Sequence, residues 1–235
     1  MSKSIIQVNP EKFPWLDLRR YTFTMGVENK GILYISGNTA SAYDPEKRQI
    51  ICKGDVVEQA KLAFEKIAVV LEAAGMTFNN VVRTIEHIDP TALPLYQQVL
   101  EVRREYLGES AVADSAFCVQ RLLRPDALIE ISAVAMRDEK RPIDPGWSNP
   151  LQITSSPGVQ AGDTVWLSGF IGHEEVKGEL HFPQDTARQV ELSYQAVGQV
   201  LEAAGARSSD VVNSIDFISP RALPQYRNTA ESRRR

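Results

Sequence analysis

Two adjacent side chains in the middle of a strand-like segment, Glu86 and His87, are the first candidates for chemistry. Side chains alternate between the two faces of a strand, so only one of this pair can face a cleft. A buried acid at Glu86 could act as a general base with a raised pKa; the alternative is an acid on a solvated sheet face. His87 could contact a substrate, or it could pack as an ordinary strand residue.

Two arginines, Arg121 and Arg124, flank a turn that contains the sequence Arg124-Pro125-Asp126. A guanidinium can bind a carboxylate through two parallel hydrogen bonds, so either side chain could hold an acidic substrate. The alternative is surface charge at the end of a strand.

Composition narrows the classes of protein that could use these groups. The chain has 235 residues, 43% of them hydrophobic, which is typical of a globular protein. Its 26 basic and 30 acidic residues give a net charge of −4, so there is no basic field to attract nucleic acid. No apolar run reaches the roughly 18 residues that a membrane span needs. The N-terminus has no basic-then-apolar signal pattern, and we expect a cytoplasmic protein.

Spacing argues against a cofactor. Cys52 and Cys118 show no CxxC pattern and are expected to be free, buried thiols. No histidine, cysteine or acid spacing matches a zinc signature, and no glycine-rich phosphate loop is present. The sequence therefore predicts neither a metal nor a nucleotide cofactor.

The chain contains an internal repeat. Residues 59–104 and 189–234 align without a gap, and 20 of the 46 paired residues are identical. Glu86 is aligned with Asp216 and His87 with Phe217, so an acid recurs at the first position and an aromatic side chain replaces the histidine. Arg103-Arg104 recurs as Arg233-Arg234, which indicates a shared structural role such as an ion pair. The chain is thus predicted to be a tandem duplication.

One repeat can be interpreted as an α+β unit, with two helices on one face of a sheet. Apolar spacing predicts helices over 55–74 and 91–107, the first ending at Gly75. Runs rich in β-branched residues predict the strands, which are 21–26, 32–36, 49–52, 81–88, 115–122 and 128–136.

Three regions follow from the repeat. Residues 1–137 form the first domain, residues 138–150 form a proline-rich linker, and residues 151–235 form the second domain. The second domain lacks counterparts of the last two strands, which would leave a sheet edge and part of its core exposed. We expect these strands to belong to a longer chain; the alternative is that they come from elsewhere.

Four segments resemble the RidA (YjgF, endoribonuclease L-PSP-like) family, and the resemblance covers nearly the whole chain, once per repeat. They are Tyr34-Ile-Ser-Gly37, Leu71-Glu-Ala-Ala-Gly75, the strand 81–88, and the closing segment 121–135. The resemblance implies two repeated units with a fold similar to Bacillus chorismate mutase, each a mixed β-sheet with two helices on one face, the second unit truncated. It also implies a homo-oligomer with trimer-like packing, and a small-molecule cleft between neighbouring units.

Active members of the family hydrolyse reactive enamines and imines to ketones and ammonia. The resemblance implies an arginine at the start of the penultimate strand, to hold the substrate carboxylate, and a glutamate on the last strand, to position water. Here Ser115 stands at the arginine position (Ala116 if one gap is allowed), and Glu130 retains the first of the two usual acids while Ser132 replaces the second. Either Arg121 or Arg124 could replace the missing arginine.

The candidate site therefore has two groups of residues. The predicted catalytic residues are Glu86, Glu130 and Ser115. The predicted substrate-binding residues are Tyr21, Ser36, Gly37, Asn38, His87, Cys118, Arg121 and Arg124.

We expect a hydrolase that deaminates a small, acidic enamine or imine. The alternative is a non-catalytic protein that binds a small molecule in a degenerate site. The ribonuclease activity that one family name implies is disfavoured by the acidic charge balance.

Overall fold

The computed structural model describes residues 3–14, 16, 22–147, 155–230 and 232–233. Helices and a mixed sheet confirm the predicted α+β class.

The first unit is built on a six-stranded sheet with the strand order β1-β2-β3-β8-β6-β7. The sheet strands are β1 (Ser4–Ile5), β2 (Gly26–Asn29), β3 (Ile32–Thr39), β6 (Val81–Ile88), β7 (Ala113–Cys118) and β8 (Ile129–Met136). Neighbours are antiparallel except β6 and β7, which run parallel. Two further strands, β4 (Ser41–Asp44) and β5 (Gln49–Cys52), form a separate hairpin.

Two helices cover one face of this sheet, as predicted. Helix α1 (Val56–Ala73) begins at a capping box in which the Asp55 side chain accepts from the amides of Val57 and Glu58. Helix α2 (Tyr96–Leu107) begins later than predicted. A 3₁₀ helix, Pro90–Leu95, precedes it because two prolines there have no amide hydrogen for an α-helical ladder.

The sheet has an inner face, which packs against α1 and α2, and an outer face. Inner side chains such as Leu33, Val81, Ile129 and Ile131 are fully buried in the main core with Phe64 of α1. Strand alternation and the pairing register then place eight side chains on the outer face. They are Arg83, Ile85 and His87 of β6, Ser115 and Phe117 of β7, and Glu130, Ser132 and Val134 of β8.

The second unit contributes a small antiparallel sheet that lies on part of the outer face. Its strands are β9 (Lys140–Ile143), β10 (Gly158–Ala161) and β11 (Thr164–Leu167), followed by the hairpin strands β12 (Glu174–Val176) and β13 (Glu179–His181) and by helix α3 (Thr186–Ala203). Strand β9 lies inside the segment that the sequence analysis interpreted as a linker. Val159 and Ala161 of β10 pack with Val82, Ala113 and Met136 of the first unit in one buried cluster.

The second unit is less complete than the first. Residues 211–219 form no strand, although they repeat the sequence of β6, and Val212 is 99% exposed. A 3₁₀ helix, Leu223–Thr229, corresponds to residues 93–99 of the first unit, where a 3₁₀ helix ends and α2 begins. In the first unit β6 is hydrogen-bonded on both sides, by β8 and β7. No described strand pairs with residues 211–219, so their backbone groups join no ladder in the described structure.

Candidate functional site

Glu86 lies on the inner face, away from the other candidate residues. Its carboxylate is completely buried and accepts hydrogen bonds from Tyr96 Oη at 2.7 Å and Arg103 Nη1 at 3.0 Å. Arg103 Nη1 also lies 2.6 Å from Asp114 Oδ1, which accepts a bond from Thr84. Burial, and then the nearby Asp114 carboxylate, raise the pKa of Glu86 to about 7.

The same three groups meet in the second unit, which explains the repeated arginine. Tyr226 Oη donates to Asp216 Oδ2 at 2.6 Å, and Arg233 Nη1 lies 4.0 Å from the same oxygen. The recurrence of acid, tyrosine and arginine supports a structural role for this network, in which the arginine neutralises a strand acid. Both oxygens of Glu86 are already occupied, so it has no free atom to offer a substrate.

Glu130 lies on the outer face, against the backbone of Gly37. A β-bulge interrupts the pairing of β3 with β8 between Ile35 and Asn38, next to Glu130. A Cβ atom at Gly37 would lie 2.1 Å from Glu130 Oε1, so only glycine leaves room for the carboxylate in this position. No hydrogen bond or ion pair joins the Glu130 side chain to another residue of the described part of the chain.

The residues around Gly37 are fixed by their own hydrogen bonds. Ser36 Oγ donates to the Thr24 carbonyl at 2.6 Å, and Asn38 Nδ2 donates to the Ser36 carbonyl at 2.7 Å. Asn38 is itself buried. These contacts hold the bulge in shape and leave the outer surface of Gly37 exposed next to Glu130.

His87 is the partner of Glu130 across the β6–β8 pairing, and both face outward. Its ring contacts Phe117 edge to face at 4.6 Å between centroids, and Phe117 stacks on Phe217 of the second unit at 3.5 Å. His87 Nδ1 is buried and has no hydrogen-bond partner among the described residues. A buried polar atom without a partner is costly, so a bound molecule with a polar group would compensate it.

Arg83 shares the outer face, and the sequence analysis did not single it out. It is half-buried, and its Nε atom is buried without a hydrogen-bond partner in the described part of the structure. Burial lowers the pKa of the Arg83 guanidinium, and the Asp114 carboxylate partly opposes this effect. Strand alternation could have found it, because Arg83 is four residues from His87 and shares its face.

Ser115, at the position where the resemblance implies an arginine, is buried beneath the second unit. A Cβ atom at Gly169 would lie 3.1 Å from Ser115 Oγ. The Asp114 amide donates to Ser168 Oγ at 2.8 Å, and the Gly169 amide donates to the Asp114 carbonyl at 2.7 Å. Ser168-Gly169 is the repeat of Ser36-Gly37, so each Ser-Gly pair contacts a strand of the first unit, at β8 or β7.

The remaining predicted residues lie apart from this face or outside the described part of the chain. Arg124 Nη1 donates to the Ile50 carbonyl at 3.1 Å, which directs it toward the β4–β5 hairpin. Arg121 is exposed beyond the end of β7. Both cysteines are free, but the prediction that both are buried was wrong for Cys118, which is exposed at the end of β7 where no strand covers it. Tyr21 lies outside the described residues.

Other kinds of site are a metal centre, a membrane-spanning helix and a surface pocket. Within the described ranges, no group of three or more histidine, cysteine or acidic side chains could hold a metal ion. No described helix is long and apolar enough to cross a membrane. A shallow depression lined by Pro14, Tyr43, Arg48, Gln49 and Ile50 lies away from the outer face.

Comparison with known proteins gives consistent matches. The family model described as Endoribonuclease L-PSP matches residues 18–137 and again residues 151–222. A RutC family protein of Pyrococcus abyssi is 34% identical over 116 residues, which are 49% of this chain and 87% of that protein. A 2-iminobutanoate/2-iminopropanoate deaminase of Mus musculus is 33% identical over 115 residues, 49% of this chain and 81% of the relative. Among solved structures, E. coli TdcF with bound serine is 24% identical, with a TM-score of 0.43 over 50% of this chain and 89% of TdcF.

Proposed function

We propose that this chain, which belongs to the endoribonuclease L-PSP family, hydrolyses a small 2-imino acid or its enamine tautomer. The products are a 2-oxo acid and ammonia. A deaminase of 2-iminobutanoate and 2-iminopropanoate is among its relatives. The reaction and its site on this chain are the proposed part.

One observation carries the proposal: three polar side chains that share the outer face have atoms without partners among the described residues. Glu130, His87 Nδ1 and Arg83 Nε make no hydrogen bond to any other described residue. On the inner face, the carboxylates of Glu86 and Asp114 are both bound by Arg103, although Arg103 Nη2 is also a buried atom without a hydrogen-bond partner among the described residues. Buried polar groups are normally paired, so the unpaired set is what a ligand site requires.

The chemistry needs a water molecule and a base at the imine carbon. As the water oxygen bonds to that carbon, Glu130 would accept a proton from the water, and the C=N electron pair would move to nitrogen, which takes up a proton. Glu130 then returns its proton to the nitrogen, and the C–N bond breaks as ammonia leaves. The carbonyl forms as the hydroxyl proton passes to solvent, which replaces the solvent proton that nitrogen took up first. Glu130 suits the role of the base because its carboxylate is unpaired among the described residues and lies over Gly37.

The test is ammonia release from 2-iminobutanoate and 2-aminoacrylate, each generated in the assay and compared with buffer alone. We expect the protein to accelerate both reactions, with saturation at increasing substrate concentration. A rate equal to that of buffer, from protein whose folding is verified by circular dichroism, would exclude the proposal.

The alternative, a protein that only binds a small acid, is favoured by one observation. Ser115 occupies the arginine position that the resemblance implies, and Gly169 covers it. Binding of 2-oxobutanoate without acceleration of imine hydrolysis would support this alternative.

We also propose that the protein assembles with copies of itself. The trimer-like packing that the family resemblance implies supports this proposal. Light scattering after size exclusion should give a multiple of the 26.2 kDa chain mass, and a mass of one chain would contradict the proposal.

A further inference from the structure

We infer that Arg83 binds the substrate carboxylate on the outer face, in place of the arginine that the family resemblance implies at Ser115. The inference rests on the proposed function and assigns one of its binding residues. The sequence analysis offered Arg121 and Arg124 for this role, but Arg124 donates to the Ile50 carbonyl and Arg121 is exposed beyond the end of β7.

The strand register brings Arg83 close to Ser115. Ile85 pairs with Ser115 across the parallel β6–β7 ladder, and Arg83 precedes Ile85 by two residues on the same face. Strand spacing then puts the Cα atoms of Arg83 and Ser115 about 8 Å apart, within reach of a long side chain. The Arg83 guanidinium on β6 therefore starts beside the Ser115 position, which Gly169 covers, and can bind a ligand only where its side chain extends past that cover.

The electrostatic setting of Arg83 differs from that of other arginines in the chain. Arg103 is bound to Glu86 and Asp114, and Arg137 forms a two-point ion pair with Glu28. Arg83 has neither a hydrogen bond nor an ion pair to another described residue, although it is half-buried. The acid that influences it, Asp114, is already bound to Arg103.

The unpaired atom indicates the kind of ligand. A guanidinium uses Nε together with one Nη when it binds a carboxylate side-on through two hydrogen bonds. Arg83 Nε is the buried donor without a partner. A carboxylate with its two oxygens along this edge would satisfy Nε and neutralise the half-buried charge at once.

The position also fits the reacting atoms. Arg83 and His87 are four residues apart on β6, which places their Cα atoms about 13 Å apart. His87 on β6 is paired with Glu130 on β8, so Glu130 lies level with His87 and not with Arg83. Ile85 lies between them as an apolar floor. In a 2-imino acid the imine carbon is bonded to the carboxylate carbon. The Arg83 side chain must therefore extend along β6 toward His87 to bring a bound substrate near Glu130.

The repeat carries Asn213 at the position of Arg83. Residue 213 is exposed and lies in a segment that forms no strand. The inferred carboxylate site is therefore assigned to the first unit alone.

The experiment compares pyruvate binding, by isothermal titration calorimetry, and the KM for 2-iminobutanoate in the unaltered full chain and in three variants. We expect Arg83→Met to weaken pyruvate binding and to raise KM, each by about 10- to 100-fold, because charged hydrogen bonds are lost. Arg83→Lys keeps the charge without the two-point geometry and should fall between. Arg104→Met, an exposed change on α2, is the matched control and should leave both quantities unchanged.

The outcomes separate this inference from the proposed function. Unchanged pyruvate affinity in Arg83→Met and in Arg83→Lys would overturn the assignment of Arg83, even if the unaltered protein hydrolyses imines. Pyruvate that does not bind the unaltered protein would overturn it as well. Absence of imine hydrolysis together with Arg83-dependent pyruvate binding would refute only the proposed reaction.

Discussion

Replacing Gly37 by alanine should separate the position of the Glu130 carboxylate from the stability of the fold. The added Cβ would lie 2.1 Å from Oε1, 2.8 Å from Cδ and 3.0 Å from Cγ of Glu130. Ordinary contacts between such atoms are about 3.5 Å or longer, so the carboxylate must move by more than 1 Å. Gly37 does not have the left-handed conformation that alanine would resist, and its clash is with the end of a flexible side chain.

The expected result is a large loss of rate with a small loss of stability. A displacement of about 1 Å at a reacting group can lower the rate about 100-fold, so kcat for ammonia release should fall by that order. The free energy of unfolding should change by less than about 1 kcal/mol, since no core contact is lost. Rates are measured with 2-iminobutanoate, and stability is measured by urea denaturation.

Two comparisons make this prediction decisive. Gly198→Ala in α3 adds a methyl group where no atom lies within 4 Å, and it should leave kcat unchanged. In a double-mutant cycle, adding Gly37→Ala to Glu130→Gln should not lower kcat further, because both changes act on the same carboxylate. A Gly37→Ala protein with the kcat of the unaltered chain, or costs that simply add in the cycle, would refute the placement of Glu130.

Three further predictions concern the interior and the contact between units. Arg103→Met leaves the buried Glu86 carboxylate and the partly buried Asp114 carboxylate without a cation. It should lower the free energy of unfolding by about 3–5 kcal/mol in urea denaturation, and Arg104→Met, the control, should leave it nearly unchanged. Because the pKa of Glu86 is raised from 4.5 to about 7, the folded state keeps this proton longer than the unfolded state does. Stability should therefore decline as pH rises from 4.5 to 7, and Glu86→Gln should flatten the decline; an unchanged slope would contradict it. Ser168→Ala removes the hydrogen bonds to the Asp114 amide and the Ser156 carbonyl, and should lower the free energy of unfolding by about 1–3 kcal/mol. A decrease below about 0.5 kcal/mol would contradict this and show that water replaces the hydroxyl.

The first unit could be predicted well because its signals are local and consistent. The strand 81–88 and the start and end of the first helix follow from β-branched residues, the Asp55 cap and Gly75. The second helix was predicted to begin too early because two prolines favour a 3₁₀ turn there. Residues 211–218 repeat the sequence of β6 but form no strand, because sequence alone does not make a strand and no described strand pairs with them.

The candidate site was harder to predict because its geometry depends on which face a residue takes and on what covers it. Glu86 and His87 were correctly expected to lie on opposite faces, but which one faced the helices was decided by the Arg103 pair on α2. The coverage of Ser115 by Gly169 depends on the packing of two units, which spacing within one unit cannot reveal. Arg83 was missed since its meaning lies in the absence of an acid partner, a property of the folded structure.

The most direct test of the central claim, that Glu130 on the outer face activates water for imine hydrolysis, is the kcat of Glu130→Gln for 2-iminobutanoate. Glu105→Gln is the matched control, because Glu105 is an exposed acid on α2, on the opposite side of the sheet. We predict that Glu130→Gln lowers kcat by about 100-fold or more while Glu105→Gln keeps it unchanged. Equal rates in the two variants would contradict the account.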